Sequence, residues 1–195
     1  VFVKTILGGD KSGGGGSTIT QQLSKLFFTD NASRHVVERA MQKFREWIIS
    51  VQLERKYTKG EIMAMYLNKF DFLNDGDGIQ AASEVYFGKP QSELTIEEAA
   101  MLVGMLKNPS LFNPVSQLKW KRDTTIHRRE VVLFQMKNKG FISQVQYDSL
   151  RQVPYDGTTF KTKTHNDGPA QYFRGELSKK VQSILNKEQH RKPDG

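Results

Sequence analysis

GGDKSGGGGSTITQQLSK, residues 8–25, admits three readings: a phosphate-binding loop, a flexible spacer, or the rim of an active site. The Walker pattern needs Gly-x-x-x-x-Gly-Lys-Ser/Thr after a strand, whereas here Lys11-Ser12 follows Asp10 and most of the glycines come later. Order alone excludes it. Composition favours the spacer, because SGGGGS at 12–17 is flexible Gly/Ser text. The continuation STITQQLSK argues for more. It crowds hydroxyl, amide and ammonium groups into the first turns of a helix that Ser17 or Thr18 can cap. Gln22 and Lys25, three apart, extend one polar face, and glycines before a helix start let backbone N–H groups approach an anion.

Beyond this stretch apolar residues fall at helical spacing almost everywhere, and alternating β-branched runs are scarce. The expectation is a mostly helical fold. TDNAS at 29–33 reads as a turn and cap. From Arg34 to about Lys56 an apolar stripe of Val37, Ala40, Met41, Phe44, Trp47, Ile48 and Val51 runs beside Arg39, Lys43 and Glu46, which predicts an amphipathic helix displaying a charged cluster. Further helices are predicted over 59–68, 78–87, 95–107, 117–138 and 143–151. Thr95 with Glu98 makes a capping box, and Asn108-Pro109 stops that helix. From Gln152 the text turns polar and rich in Gly and Pro, ahead of a last amphipathic segment around 170–188. The domain boundary is placed near 152.

The chain has 195 residues, 37% hydrophobic and 26% charged, with a mean hydropathy of −0.57, as in a folded globular protein. A formal charge of +8 and a pI near 9.6 imply an anionic partner: nucleic acid, an anionic membrane surface or a phosphorylated substrate. With no cysteine there is neither a disulfide framework nor a thiolate metal site, which leaves cytosol and periplasm equally open. No run of about 18 apolar residues is present. A start at Val1 without methionine and an end at KPDG suggest a piece of something longer.

GGSTITQQLSK, residues 15–25, closely resembles the second signature of the peptidoglycan glycosyltransferases, the family 51 domain of class A penicillin-binding proteins and their monofunctional relatives. Three more signatures follow in the family's order. Arg-Lys-x-x-Glu appears as Gln42-Lys43-Phe44-Arg45-Glu46, with Gln42 in place of the usual arginine. The fourth appears as Lys59-Gly60-Glu61-Ile62-Met63 followed by Tyr66-Leu67-Asn68, and the fifth as Arg128-Arg129-Glu130-Val131-Val132-Leu133. GIQAASEVYFGK and EEAAMLVGMLKNPSLFNP are similar to family text too, so the resemblance spans roughly residues 1–151. The first signature, Glu-Asp-x-x-Phe-x-x-His, does not occur in these residues. In the family its glutamate is the general base, so residues 1–195 alone are expected to be inactive in lipid II polymerisation.

The resemblance implies an all-α, lysozyme-like fold with a smaller membrane-facing lobe. It divides the chain into a glycosyltransferase domain, 1–152, and a connector toward a transpeptidase domain, 153–195. It further implies an inverting transfer in which the 4-hydroxyl of an acceptor sugar attacks C1 of a chain held on polyprenyl pyrophosphate. That leaving group departs without a proton, so the main demand is for cations where phosphate charge develops. Lys25 and Lys43 suit that demand, with Ser17, Thr18, Gln21 and Gln22 as further substrate-binding candidates. Glu46 becomes the second active-site glutamate, orienting cations or a divalent ion; the plain alternative is a surface pair with Lys43 and Arg39. Gln42 keeps hydrogen-bonding capacity but loses a charge, for which Arg34, Arg39 or Arg45 can compensate.

Tyr66 and Asn68 read as structural. Arg128 and Arg129 can brace the lobe through buried ion pairs or face the substrate; support is favoured, with Arg128 nearer the site and counted with its substrate-binding residues. No cofactor is required by the resemblance, with Mg or Mn at the pyrophosphate as an option. No metal is assigned to His35, His127, His165 or His190, which lack ligand spacing, and DFLNDGDG at 71–78 reads as a solvated turn rather than a calcium loop.

The implied partners are lipid II, the growing glycan chain, the bacterial inner membrane at its periplasmic face and a transpeptidase domain of the same chain, with no nucleic acid. VFVKTIL (1–7) and KLFF (25–28) can meet that membrane or pack in a core. No Ser-x-x-Lys and Lys-Thr-Gly pair stands at usable spacing, so transpeptidation is not expected. The rival from another class is a basic helical nucleic-acid module built on helices such as KWKRDTTIHRR, and a third reading is a degenerate, non-catalytic glycosyltransferase module.

Overall fold

The computed structural model describes residues 17–28, 35–155 and 157–161, together with 173, 176, 177, 179–181, 183 and 184. The expectations for VFVKTIL (1–7), the glycine loop 8–16 and TDNAS (29–33) fall outside these residues. In chain order the helices are α1 (Ile19–Phe28), α2 (Val36–Lys56), α3 (Lys59–Lys69), α4 (Gly78–Phe87), a 3-10 turn at Gln91–Glu93, α5 (Ile96–Met105), α6 (Lys119–Asn138) and α7 (Gln144–Leu150). Among the described residues the only strand-like pairing is one isolated bridge between Asp71 and Asp77, which meets the all-α expectation.

Local chemistry sets the helix ends. Thr58 and Glu61 form a complete capping box at the start of α3, as do Ser143 and Gln146 at α7. At α5 the Thr95 N–H donates to Glu98 Oε2 at 2.8 Å, as the sequence predicts. Burial alone would raise the Glu98 pKa, but the Lys89 ammonium 2.7 Å away and the Thr95 bonds outweigh it and hold the carboxyl low. The stability this lends is complete above the ordinary value of 4.5 and is lost as pH falls through the depressed one. Melting curves from pH 7 to pH 3 are therefore expected to fall less steeply with acid in Glu98→Gln than in the parent chain.

Three apolar centres organise the helices among the described residues. The largest joins α4, α5 and the following loop through Phe72, Val85, Tyr86, Met101, Met105 and Phe112. A second joins α1 to α3 through Leu23, Ile62 and Tyr66, with Leu53 of α2 packed against it, and Phe70 and Leu106 touch both. A third joins α5, α6 and the start of α7 through Ala100, Leu133 and Ile142. Where α3 hands over to α4, Gly78 has φ +82° and lies so close to Asn68 that a Cβ would stand 2.5 Å from the Asn68 carbonyl oxygen. The 71–77 turn is tied down despite left-handed backbone at Leu73, Asn74 and Asp75. Tyr86 Oη donates to the Phe72 carbonyl at 2.7 Å and accepts from Asn74 Nδ2 at 2.9 Å, and burial pushes its pKa up to about 12.

The charged side of α2 corrects the sequence reading. Glu46 and Ser50 are the buried residues of this helix, whereas Val37 is 76% exposed, Trp47 48%, and Met41, Phe44, Ile48 and Val51 also lie outside. The apolar stripe faces outward and Glu46 of the expected displayed cluster turns inward: α1 meets α2 through the polar Thr20–Glu54 and Ser24–Ser50 contacts, and from α2 Leu53 packs against the Leu23, Ile62 and Tyr66 cluster.

Past the change of composition at 152, Tyr155 and residues 159–161 lie against the helical body. Tyr155 Oη and Thr159 Oγ1 both donate to the Tyr86 carbonyl, at 3.1 and 2.9 Å, and Lys161 N–H donates to the Val85 carbonyl at 2.9 Å. The Tyr155 ring meets Phe87 and the Phe160 ring meets Tyr86.

Candidate active site

Thr18 rather than Ser17 caps α1. Its Oγ1 accepts the Gln21 N–H and its own N–H donates to Gln21 Oε1, both at 3.2 Å. The side chains of Thr18 and Gln21 therefore serve the helix start. One turn on, Tyr66 Oη donates to Gln22 Oε1 at 3.0 Å, which fixes the amide and leaves its NH2 group to point the other way. Burial raises the Tyr66 pKa, in keeping with a neutral donor. The structural role expected of Tyr66 is thus to join α3 to the helix that carries the candidate site, while Asn68 is exposed and contributes through its backbone beside Gly78.

Lys25 is exposed on α1. On α2, Lys43 Nζ donates to Glu46 Oε2 at 2.5 Å, with Glu46 only 4% exposed and the Lys43 side chain more than half exposed. A carboxylate held in the interior with its partner cation reaching outward is more than a solvated surface pair. Arg39 and Arg45 are exposed on the same helix, and Gln42 is half-buried.

Two polar contacts tie α1 to α2. Thr20 Oγ1 donates to Glu54 Oε1 at 2.7 Å, and the buried Ser24 and Ser50 hydroxyls meet at 3.1 Å. Each step of four along α1 meets a step of four back along α2, so the helices run antiparallel with a polar seam. Thr20 and Ser24 lie inside the GGSTITQQLSK stretch without being singled out there, and Ser50 and Glu54 lie in no quoted motif. The signal was the period-four spacing of polar residues on both helices, which places them on one face of each.

Arg128 lies in a different setting, on α6. Its guanidinium stands 5.8 Å from the Phe112 ring centroid and its stem packs on Gly104, where a Cβ would come within 3.2 Å of Arg128 Cγ. Arg129, 2% exposed, donates from Nη2 to the Val153 carbonyl at 2.7 Å and more distantly to that of Arg151. It braces through carbonyls where the sequence suggested ion pairs, and burial lowers its pKa. Among the described residues no group of three or more His, Asp or Glu could hold a metal ion, and Lys43 Nζ engages Glu46 Oε2.

A family model described as Transglycosylase matches residues 1–137. The chain is 41% identical over 138 residues to penicillin-binding protein 1A of Escherichia coli K12, covering 70% of this chain and 15% of that one. It is 41% identical over 140 residues to penicillin-binding protein 2a of Streptococcus pneumoniae, covering 72% and 18%. With penicillin-binding protein 1A/1B of Bacillus subtilis 168 it shares 42% over 140 residues, covering 71% and 14%. A crystal structure of penicillin-binding protein 1A from Haemophilus influenzae aligns over 83% of this chain and 20% of that one, with TM-score 0.46 and 26% identity. The chain therefore spans less than a fifth of the length of these three sequence relatives. The nucleic-acid reading gains no support from any of them. On the family model and these sequence relatives, the chain belongs to the transglycosylase family of peptidoglycan glycosyltransferase domains.

Proposed function

We propose that this chain is the glycosyltransferase domain of a class A penicillin-binding protein, polymerising lipid II into glycan strands at the periplasmic face of the bacterial inner membrane. The observation that carries this reading is the joining of α1, with Gln22 and Lys25, to α2, with Lys43 and Glu46, inside the stretch the family model matches.

The acceptor 4-hydroxyl oxygen forms a bond to C1 of the donor as the bond from C1 to the pyrophosphate oxygen breaks. The electron pair leaves with the pyrophosphate, and the hydroxyl proton goes to the base that the family carries in its first signature. Lys25 and Lys43 stabilise the charge that grows on the leaving group, and the Gln22 amide, oriented by Tyr66, donates beside them. Glu46 holds Lys43 in place and takes no proton. The cations assigned to this step are the side chains of Lys25 and Lys43.

A polyprenyl tail obliges the site to meet a bilayer. Among the described residues no helix is long and apolar enough to cross one. The outward face of α2, with Phe27 and the 65% exposed Phe28 at the end of α1, suits shallow insertion at its surface. Within the parent chain the domain would feed strands to a transpeptidase domain.

The test is polymerisation of lipid II by residues 1–195 extended upstream to include a Glu-Asp-x-x-Phe-x-x-His stretch, compared with residues 1–195 alone. Glycan strands from the extended chain only are expected. Salt-dependent binding to duplex DNA with no affinity for lipid II would overturn the reading.

A further inference from the structure

Ser24 is wholly buried and Ser50 is 4% exposed, at the contact between α1 and α2. Ser50 Oγ donates to the Glu46 carbonyl one turn earlier, at 2.6 Å. A serine has one hydroxyl proton, so with that proton committed Ser50 can only accept from Ser24, 3.1 Å away. The result is a directed chain running from Ser24 on α1, through Ser50, to the main chain of Glu46 on α2. Ser24 adjoins Lys25 in sequence, and Glu46 holds Lys43.

We infer that Ser24 and Ser50 are positioning residues, whose two-hydroxyl relay sets the axial register of Lys25 against the Lys43–Glu46 pair. The inference rests on the glycosyltransferase reading of those three charged residues. Its physical basis is direction. Apolar contact is indifferent to small sliding, so the Leu23 cluster, which Leu53 of α2 joins, does not by itself fix α1 along α2. Hydrogen bonds between buried hydroxyls do, since a slip of one ångström breaks the geometry and strands polar groups in the interior. A bond to the Glu46 carbonyl also shapes the turn of α2 that carries the carboxylate. The Thr20–Glu54 bond joins the same two helices and adds to the same register without leading to Glu46.

The experiment uses the extended, lipid II-polymerising chain. Ser24→Ala and Ser50→Ala are each expected to lower kcat about 10-fold with KM little changed, because the cations act on charge that exists only in the transition state. The double variant is expected to be no worse than either single one, as for residues acting as a unit. Ser50→Thr, which keeps the hydroxyl, is expected to recover most of the rate. Ile142→Ala, in the buried cluster with Ala100 and Leu133 that involves neither α1 nor α2, is expected to lower Tm at least as much while leaving kcat at the parent value. Parent-like kcat in both serine variants, or a loss of kcat that follows Tm through Ile142→Ala as well, would overturn the relay while leaving the glycosyltransferase reading intact. Failure of the extended parent chain itself to polymerise lipid II would reject that reading and the relay together.

Discussion

Lys43→Met and Glu46→Gln are each expected to lower lipid II polymerisation by about 100-fold or more, the scale seen when one preorganised stabiliser of transition-state charge is removed. The two side chains are one device. The exposed ammonium is aimed by the buried carboxylate 2.5 Å away, so removing either leaves the leaving pyrophosphate without a fixed cation. The double variant should then resemble the singles. Stability separates them. Lys43→Met leaves a buried carboxylate without this partner and should lower Tm, whereas Glu46→Gln keeps the shape, removes the interior charge and should lower it less. Turnover of lipid II by the extended chain, measured beside Tm, checks both. Near-parent turnover in either variant would remove the Lys43–Glu46 pair from the site.

The second large effect is on stability. A chain ended after residue 152 is expected to melt about 6–24 °C below one ended after residue 161, given roughly 2–4 °C per kcal/mol for a protein of this size. The lost segment supplies two aromatic contacts and three hydrogen bonds to α4. Partial burial of two aromatic rings with these bonds amounts to about 3–6 kcal/mol. Arg129, deprived of the Val153 carbonyl, loses a bonding partner in the interior as well. Equal melting of the two chains would show that residues 153–161 are a passive connector.

Much of the fold was legible because helix boundaries are written locally. The capping box at Thr95 and Glu98 and the apolar period over 78–87 each depend on residues a few positions apart, and α4 begins and ends where that period does. The facing of α2 was not legible. A stripe of Val37, Met41, Phe44 and Trp47 looks the same whether a core, a membrane or a partner covers it, and only the packing of α1 shows which side turns inward. Tyr155 and Phe160 escaped for a different reason: two rings in a polar, Gly-rich stretch change its composition little, yet each finds an aromatic residue on α4. In the candidate site the family signatures pointed to Lys43 and Glu46, while Ser24, inside the second signature, and Ser50, outside all of them, gain their significance only by meeting across two helices.

The outward stripe of α2 also has a practical consequence for handling the molecule. In most amphipathic helices polar substitution on the apolar side empties the interior, so solubility is gained only by sacrificing the fold. Here the interior side is the one with Glu46 and Ser50, and serine or glutamine at Phe44 and Trp47 would remove greasy surface without opening a cavity. The same helix therefore offers a place where surface hydrophobicity can be lowered while the domain keeps its architecture.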